Sequence, residues 1–249
     1  MSTDVKTGDF TINGMKTGWL VLFLAYALWA HLGGALAWRH LGLAWADLMW
    51  TRPDSFIYIT LMAFAVLVVG TATTKTTRRE LVLCFLKAGL LTTVLYLPWF
   101  IGAWIYYGSP VPHTVVAKGG LAAPITVERI WRTLWDLFSV GWRGEVSSTG
   151  AFMPAYFQMG GWPLMLERGA RILSGLTVVR CLIPGVGKLV RICSFVFLGC
   201  HLYLSVAPYF PFPWYLPAVT PFAVMAWAGL VARIWPQDDR GWRRVARGG

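Results

Sequence analysis

From Ile192 to Ala232 the chain runs for 41 residues without an aspartate, glutamate, lysine or arginine. One crossing of a bilayer needs only about 20 residues of helix, because the hydrocarbon layer is roughly 30 Å thick and a helix rises about 1.5 Å per residue. The run is therefore too long for one crossing. Pro208, Pro211 and Pro213 interrupt its middle, and proline fixes φ and removes a backbone donor. Two membrane-crossing helices, 192–208 and 214–232, are predicted, joined by the turn APYFPFPWY.

Composition extends this reading to the whole chain. Of its 249 residues 57% are hydrophobic and only 13% are charged; soluble domains carry about 25% charged residues. Fifteen tryptophans and nine tyrosines suit aromatic belts at two membrane interfaces. The expected fold class is all-α: a polytopic transmembrane helical protein of one domain, with five to six spans and an outer-face interfacial amphipathic helix. The net charge of +11 does not indicate nucleic acid, since the cations lie between apolar runs and at the C-terminal end. There they set topology and meet membrane lipids. Cys84, Cys181, Cys193 and Cys200 fall in apolar or span-flanking sequence without a CxxC pair, so they read as buried hydrophobes, with no metal site.

Taken in order, Trp19 to Ala37 is 19 residues without a charge and gives a first span, 19–37. His31 lies inside it and is expected to hydrogen-bond a neighbouring helix across the glycine face of Gly33 and Gly34. Arg39 to Thr51 is too polar to span and reads as an interfacial helix. Ser55 to Thr74 gives a second span. The dense basic loop Lys75, Arg78, Arg79 is cytoplasmic by the positive-inside rule. Arg52 and Asp54 then lie outside, and both termini are cytoplasmic if there are six spans. The third span, 81–106, returns outward, with Pro98 a kink site. An exoplasmic segment, 108–170, follows. Within it, Val127 to Phe138 is an amphipathic helix on the outer interface, with Glu128, Arg132 and Asp136 four apart, and Gly141 to Gly161 reads as a loop. Ile172 to Val186 is a short or broken span, because it carries Arg180 and Pro184.

Tyr106 to Gly120 (YYGSPVPHTVVAKGG) closes the third span. Gly108 is placed as a helix C-cap, and Pro110 and Pro112 bar continuation. This stretch resembles the signature of GT-C-type membrane glycosyltransferases, which use polyprenyl-phosphate sugars (mannosyl- and arabinofuranosyl-transferase-like). Tyr107, Gly108, Pro110, Pro112, Thr114, Ala117 and Lys118 fit it, and His113 stands where the family has asparagine. TRPDS at Thr51 to Ser55 and FPFPWYLPAVTP at Phe210 to Pro221 resemble the same family and occur in its order.

The resemblance implies transfer of a sugar from a lipid-linked donor to an envelope glycan, outside a bacterial inner (plasma) membrane, with no cofactor. It makes Asp54 the candidate catalytic carboxylate, taking the acceptor's proton. Arg52 and Lys118 are the candidate cations for the phosphate. His113 and Thr114 would hydrogen-bond phosphate or sugar, and Trp214 and Tyr215 would stack on a sugar face or the prenyl chain. The chain departs from the family in one respect: it has no acidic pair followed by an arginine in a first outer loop. Asp238 and Asp239 are its only adjacent acids, and Asp47 is the other outer carboxylate near the start. It therefore looks like the C-terminal half of such an enzyme, working with a separate N-terminal half. The alternative reading is a non-catalytic subunit of a larger, pigment-containing membrane assembly.

Overall fold

The computed structural model describes residues 16–32, 37–70, 77–108, 125–138, 149–153, 162–206 and 213–234. Among these there are eight α-helices and no strand: α1 (Thr17–Leu32), α2 (Trp38–Thr51), α3 (Phe56–Val69), α4 (Arg78–Tyr107), α5 (Val127–Phe138), α6 (Leu164–Val179), α7 (Lys188–Val206) and α8 (Thr220–Ile234). Three stretches are long and apolar enough to cross a membrane: Arg78–Tyr107, Lys188–Val206 and Tyr215–Ala232. Thr17–Leu32 and Pro53–Val69 are apolar but shorter.

Side-chain contacts fix the directions of the helices. Tyr26 on α1 is hydrogen-bonded to His40 on α2 at 2.9 Å. At the other end of the pair, Lys16, Trp19 and Phe23 share a cleft with Asp47, Trp50 and Thr51. So α2 runs back along α1. It then runs beside α4 in the same direction: Thr92 donates to the carbonyl of Gly42 at 3.0 Å, and Trp50 Nε1 donates to that of Leu95 at 3.3 Å. Helix α7 lies antiparallel to α3, with Phe195 on Phe64 (5.6 Å) and Gly199 against Leu61. Helix α8 returns along α7, with Gly229 against Val190.

One end of the bundle thus gathers Lys16, Thr51 to Asp54, Val206 and the 3-10 turn Pro213–Ala218. The opposite end gathers Leu32, Gly70, Thr77 and residues 180–188. Three expectations change here. Arg39 to Thr51 is not a peripheral helix. Leu41, Ala44, Trp45 and Leu48 are buried, because α2 fills the gap between α1 and α4. Since α2 adds a return leg, the start of α1 and the end of α8 lie at opposite ends of the bundle. The helix in the stretch read as short or broken stops at Val179, and Arg180 opens a 3-10 turn at the end of the bundle. Part of the predicted loop is also packed inside. Ala151 and Met153 are buried, and Phe152 meets Phe197 edge-on at 6.2 Å.

The Gly108 cap, the buried cysteines and the Glu128–Arg132 pair match the sequence reading. Gly108 caps α4 in the left-handed region (φ 68°), donating to the carbonyl of Trp104 at 2.9 Å, a conformation in which a Cβ is strained. Helix α4 continues through Pro98. Thr77 and Glu80 start it with a reciprocal capping box, Thr77 N donating to Glu80 at 2.7 Å and Glu80 N to Thr77 at 3.3 Å. All four cysteines are buried. Arg132 and Glu128 pair at 3.3 Å on the exposed face of α5. That helix docks on α7 through His201 Nε2, 3.5 Å from the Thr133 carbonyl, and leaves Val127, Trp131 and Trp135 exposed.

His31 departs from expectation. It is buried with its ring against Phe85 (5.4 Å) and Trp45 (5.8 Å), and neither ring nitrogen has a hydrogen-bond partner. Its ring neighbours offer no lone-pair acceptor.

Candidate functional site

Pro53 cannot donate to a helical ladder and forces the residue before it out of the α region. Arg52 is accordingly extended (φ −152°, ψ 123°), with its N–H still bonded to Leu48 at 2.9 Å. The 3-10 turn Pro53–Ser55 then launches α3. This four-residue link, Arg52 to Ser55, between two packed helices holds Arg52 and Asp54 in a fixed relation.

The guanidinium forks onto the carboxylate. Nε donates to Oδ1 at 3.0 Å and Nη2 to Oδ2 at 2.7 Å. Both side chains are about a fifth exposed, 21% and 23%. Tyr215, from the turn that precedes α8, lies with its ring centroid 4.6 Å from Arg52 Cζ. Burial works against the Arg52 charge, but the hydrogen bond and the charge of Asp54 outweigh it, so its pKa rises above the ordinary arginine value.

Two of the three family-like segments therefore meet: TRPDS and the Phe210 to Pro221 stretch. Trp214 lies on the same 3-10 turn as Tyr215. His113, Thr114 and Lys118 lie outside the described residues. Asp47 faces the neighbouring cleft with Lys16 and Trp19. Among the described residues no group of three or more His, Cys, Asp or Glu is placed to hold a metal ion.

The structure adds residues the sequence reading missed. Tyr58 on α3 and Tyr203 on α7 lie within electrostatic reach of Arg52 and Asp54. Tyr58 sits one helical turn after Asp54, so its spacing carried a signal. Tyr203 is one aromatic in a long apolar run and carried none. Tyr58 is 1% exposed and Ser55 fully buried, yet neither hydroxyl has a hydrogen-bond partner. Buried polar atoms are nearly always paired, by protein, water or ligand.

Chemically, this is a carboxylate held by a fork, with aromatic faces beside it and two unpaired hydroxyls behind. The fork orients Asp54 and leaves the outward lone pairs of its oxygens for an incoming hydroxyl. The charges of the pair cancel, so a phosphate bound here needs a further cation.

Tyr58→Phe separates a site from plain packing. With nothing bound, deleting an unpaired buried hydroxyl is expected to leave the thermal midpoint unchanged or raise it, since such a group costs about 1–3 kcal/mol. In a ligand-saturated sample the same change lowers the midpoint relative to wild type. Thermal melts in detergent, with and without donor lipid, read both.

The chain matches no family model, no curated protein and no solved structure.

Proposed function

We propose that this is an integral membrane glycosyltransferase of GT-C type, or its C-terminal portion, moving a sugar from a polyprenyl-phosphate donor to an envelope glycan outside the cytoplasmic membrane. The carrying observation is the meeting of Arg52, Asp54 and Tyr215 from distant parts of the chain at one end of a helical bundle. Lys75, Arg78 and Arg79 flank the start of α4, at the opposite end. The positive-inside rule makes that end cytoplasmic and the Arg52–Asp54 end external. In this reading residue 16 is external and the end of α8 cytoplasmic.

Depth supports a lipid-borne substrate. Leu95 is level with Trp50, so residues 96–107 of α4 carry on for about 18 Å past the end of α2. Those residues are uncharged, and Leu97, Ile101, Trp104 and Ile105 are exposed. The ion pair is thus recessed below the outer end of an apolar helix, within reach of a headgroup whose chain stays in the bilayer. Asp54 serves as the base toward the acceptor hydroxyl, Arg52 orients it, Tyr215 packs on the sugar, and Lys118 supplies the further cation for the phosphate.

The test is binding of a polyprenyl-phosphate sugar in nanodiscs by wild type, Lys118→Ala, Lys118→Met and Lys118→Arg. Losing a charge-assisted contact costs about 1.5–3 kcal/mol, or roughly 10- to 150-fold in affinity. Alanine and methionine are expected to show that loss, and arginine to keep much of the binding. Equal affinities across the series remove the phosphate role. No binding by any form, with stoichiometric partner chains co-purifying, favours the non-catalytic subunit.

A further inference from the structure

At the end of the bundle opposite the Arg52–Asp54 pair, α6 gives way to two 3-10 turns, Arg180–Leu182 and Pro184–Val186, before α7 begins. Arg180 is only 7% exposed. Its Cζ lies 3.4 Å from the centroid of the Trp227 ring. The indole is pinned by its own donation, Nε1 to Thr177 Oγ1 at 2.9 Å. Arg180 Nη1 is buried and has no hydrogen-bond partner. The chain contains no aspartate or glutamate between Arg168 and Ile234, so the facing parts of α6, α7 and α8 bring no carboxylate to this guanidinium. Arg191, in the first turn of α7, reaches back to this 3-10 turn, its Nε donating to the carbonyl of Cys181 at 3.2 Å. Leu182 (76%) and Ile183, which follow Arg180 in the chain, are exposed and apolar.

A buried cation without an anion is strongly disfavoured, and stacking on an indole offsets that only in part. A guanidinium centred over a ring leaves Nη1 without an acceptor, and an oxyanion reaching it from the bundle end would supply one. The exposed apolar residues that follow it suit hydrocarbon chains.

We propose that Arg180, with Arg191, binds the phosphate of a membrane phospholipid in the leaflet on this side of the protein. The site is independent of the glycosyltransferase reading. Phosphate and apolar surface together select a phospholipid over a soluble anion.

The experiment uses the full chain, delipidated in detergent and titrated with phosphatidylglycerol, glycerol phosphate or inorganic phosphate. Thermal midpoint and retained lipid, by native mass spectrometry, are read together. Phosphatidylglycerol is expected to raise the midpoint and stay bound, and the two chainless phosphates to do neither at equal concentration. Arg180→Met is expected to cut lipid retention about tenfold or more, and Arg180→Lys by less, since it keeps charge but loses the planar guanidinium. Arg79→Met, an exposed cation at the same end, is the control and retains the lipid. Inorganic phosphate acting as well as the lipid overturns the proposal in favour of a free-anion site. Equal losses in Arg180→Met and Arg79→Met overturn it in favour of diffuse charge attraction. If Asp238→Asn/Asp239→Asn destabilises as Arg180→Met does and lipid has no effect, the anion belongs to the chain itself and the proposal fails. Should Arg180→Met not fold, the wild-type lipid comparison and Arg180→Lys still decide.

Discussion

Asp54→Asn is expected to leave donor binding within a few-fold of wild type and to reduce sugar transfer by about 10²- to 10⁴-fold, the usual contribution of a positioned general base. The amide keeps the shape of the carboxylate and one acceptor for Arg52, but it cannot take a proton. Asp54→Ala does more, because it strands a guanidinium that is only 21% exposed. Breaking a buried pair costs about 3–5 kcal/mol, and partial exposure here lowers that to roughly 2–3 kcal/mol. Arg52→Ala/Asp54→Ala is expected to recover most of the lost stability and none of the transfer. Thermal melts and a transfer assay, with a separately encoded N-terminal half present, give the two readings. Full transfer by Asp54→Asn would move the base to Asp47 or to another chain.

The second large effect lies in the packing of α2. At Gly42 an added Cβ would stand 2.9 Å from Leu91 Cδ2 and 3.0 Å from the Ala88 carbonyl oxygen. The leucine tip can turn aside; the carbonyl belongs to a helix and cannot. Gly42→Ala is expected to cost about 1–3 kcal/mol and Gly42→Leu more, by forcing α2 from α4. Gly89 on α4 has no atom within 4 Å of an added Cβ. Gly89→Ala is therefore expected to gain about 0.5–1 kcal/mol from helix propensity alone. Melts of the three variants check it; a stable Gly42→Leu would mean that α2 is not packed against α4 in this way.

Much of the helix inventory was legible because its signals are local. The 41-residue uncharged run with prolines in its middle reads as two helices wherever it occurs. Gly108 followed by Pro110 and Pro112 reads as a helix end without any tertiary information. The place of α2 was not legible, since Arg39, His40 and Asp47 give it the amphipathic look of an interfacial helix. What decides its fate is a close approach to α4 at Gly42, and a close approach leaves no trace in hydropathy. Thr149–Phe152 hid for a related reason: glycine- and serine-rich flanks look like loop, and only Phe197 shows why Phe152 is held. At the candidate site, Arg52 and Asp54 were singled out by the resemblance of TRPDS to a family segment, not by their spacing. The approach of Tyr215 followed from resemblance, and Tyr203 needed the fold.

The helices of this bundle disagree about how thick their surroundings are. Helices α1 and α3, of 16 and 14 residues, rise about 24 and 21 Å, short of a hydrocarbon layer of ~30 Å, while the 30 residues of α4 rise about 45 Å. A bilayer that α1 and α3 crossed together with α4 would have to thin on one flank and thicken, or let α4 tilt, on the other, at a fraction of a kcal/mol for each ångström of mismatch. The ion pair would then sit on the thinned flank, where a headgroup has less distance to travel to reach it. Chain length of the host lipids would thereby become a control on the site, with shorter-chain bilayers relieving the strain around α1 and α3.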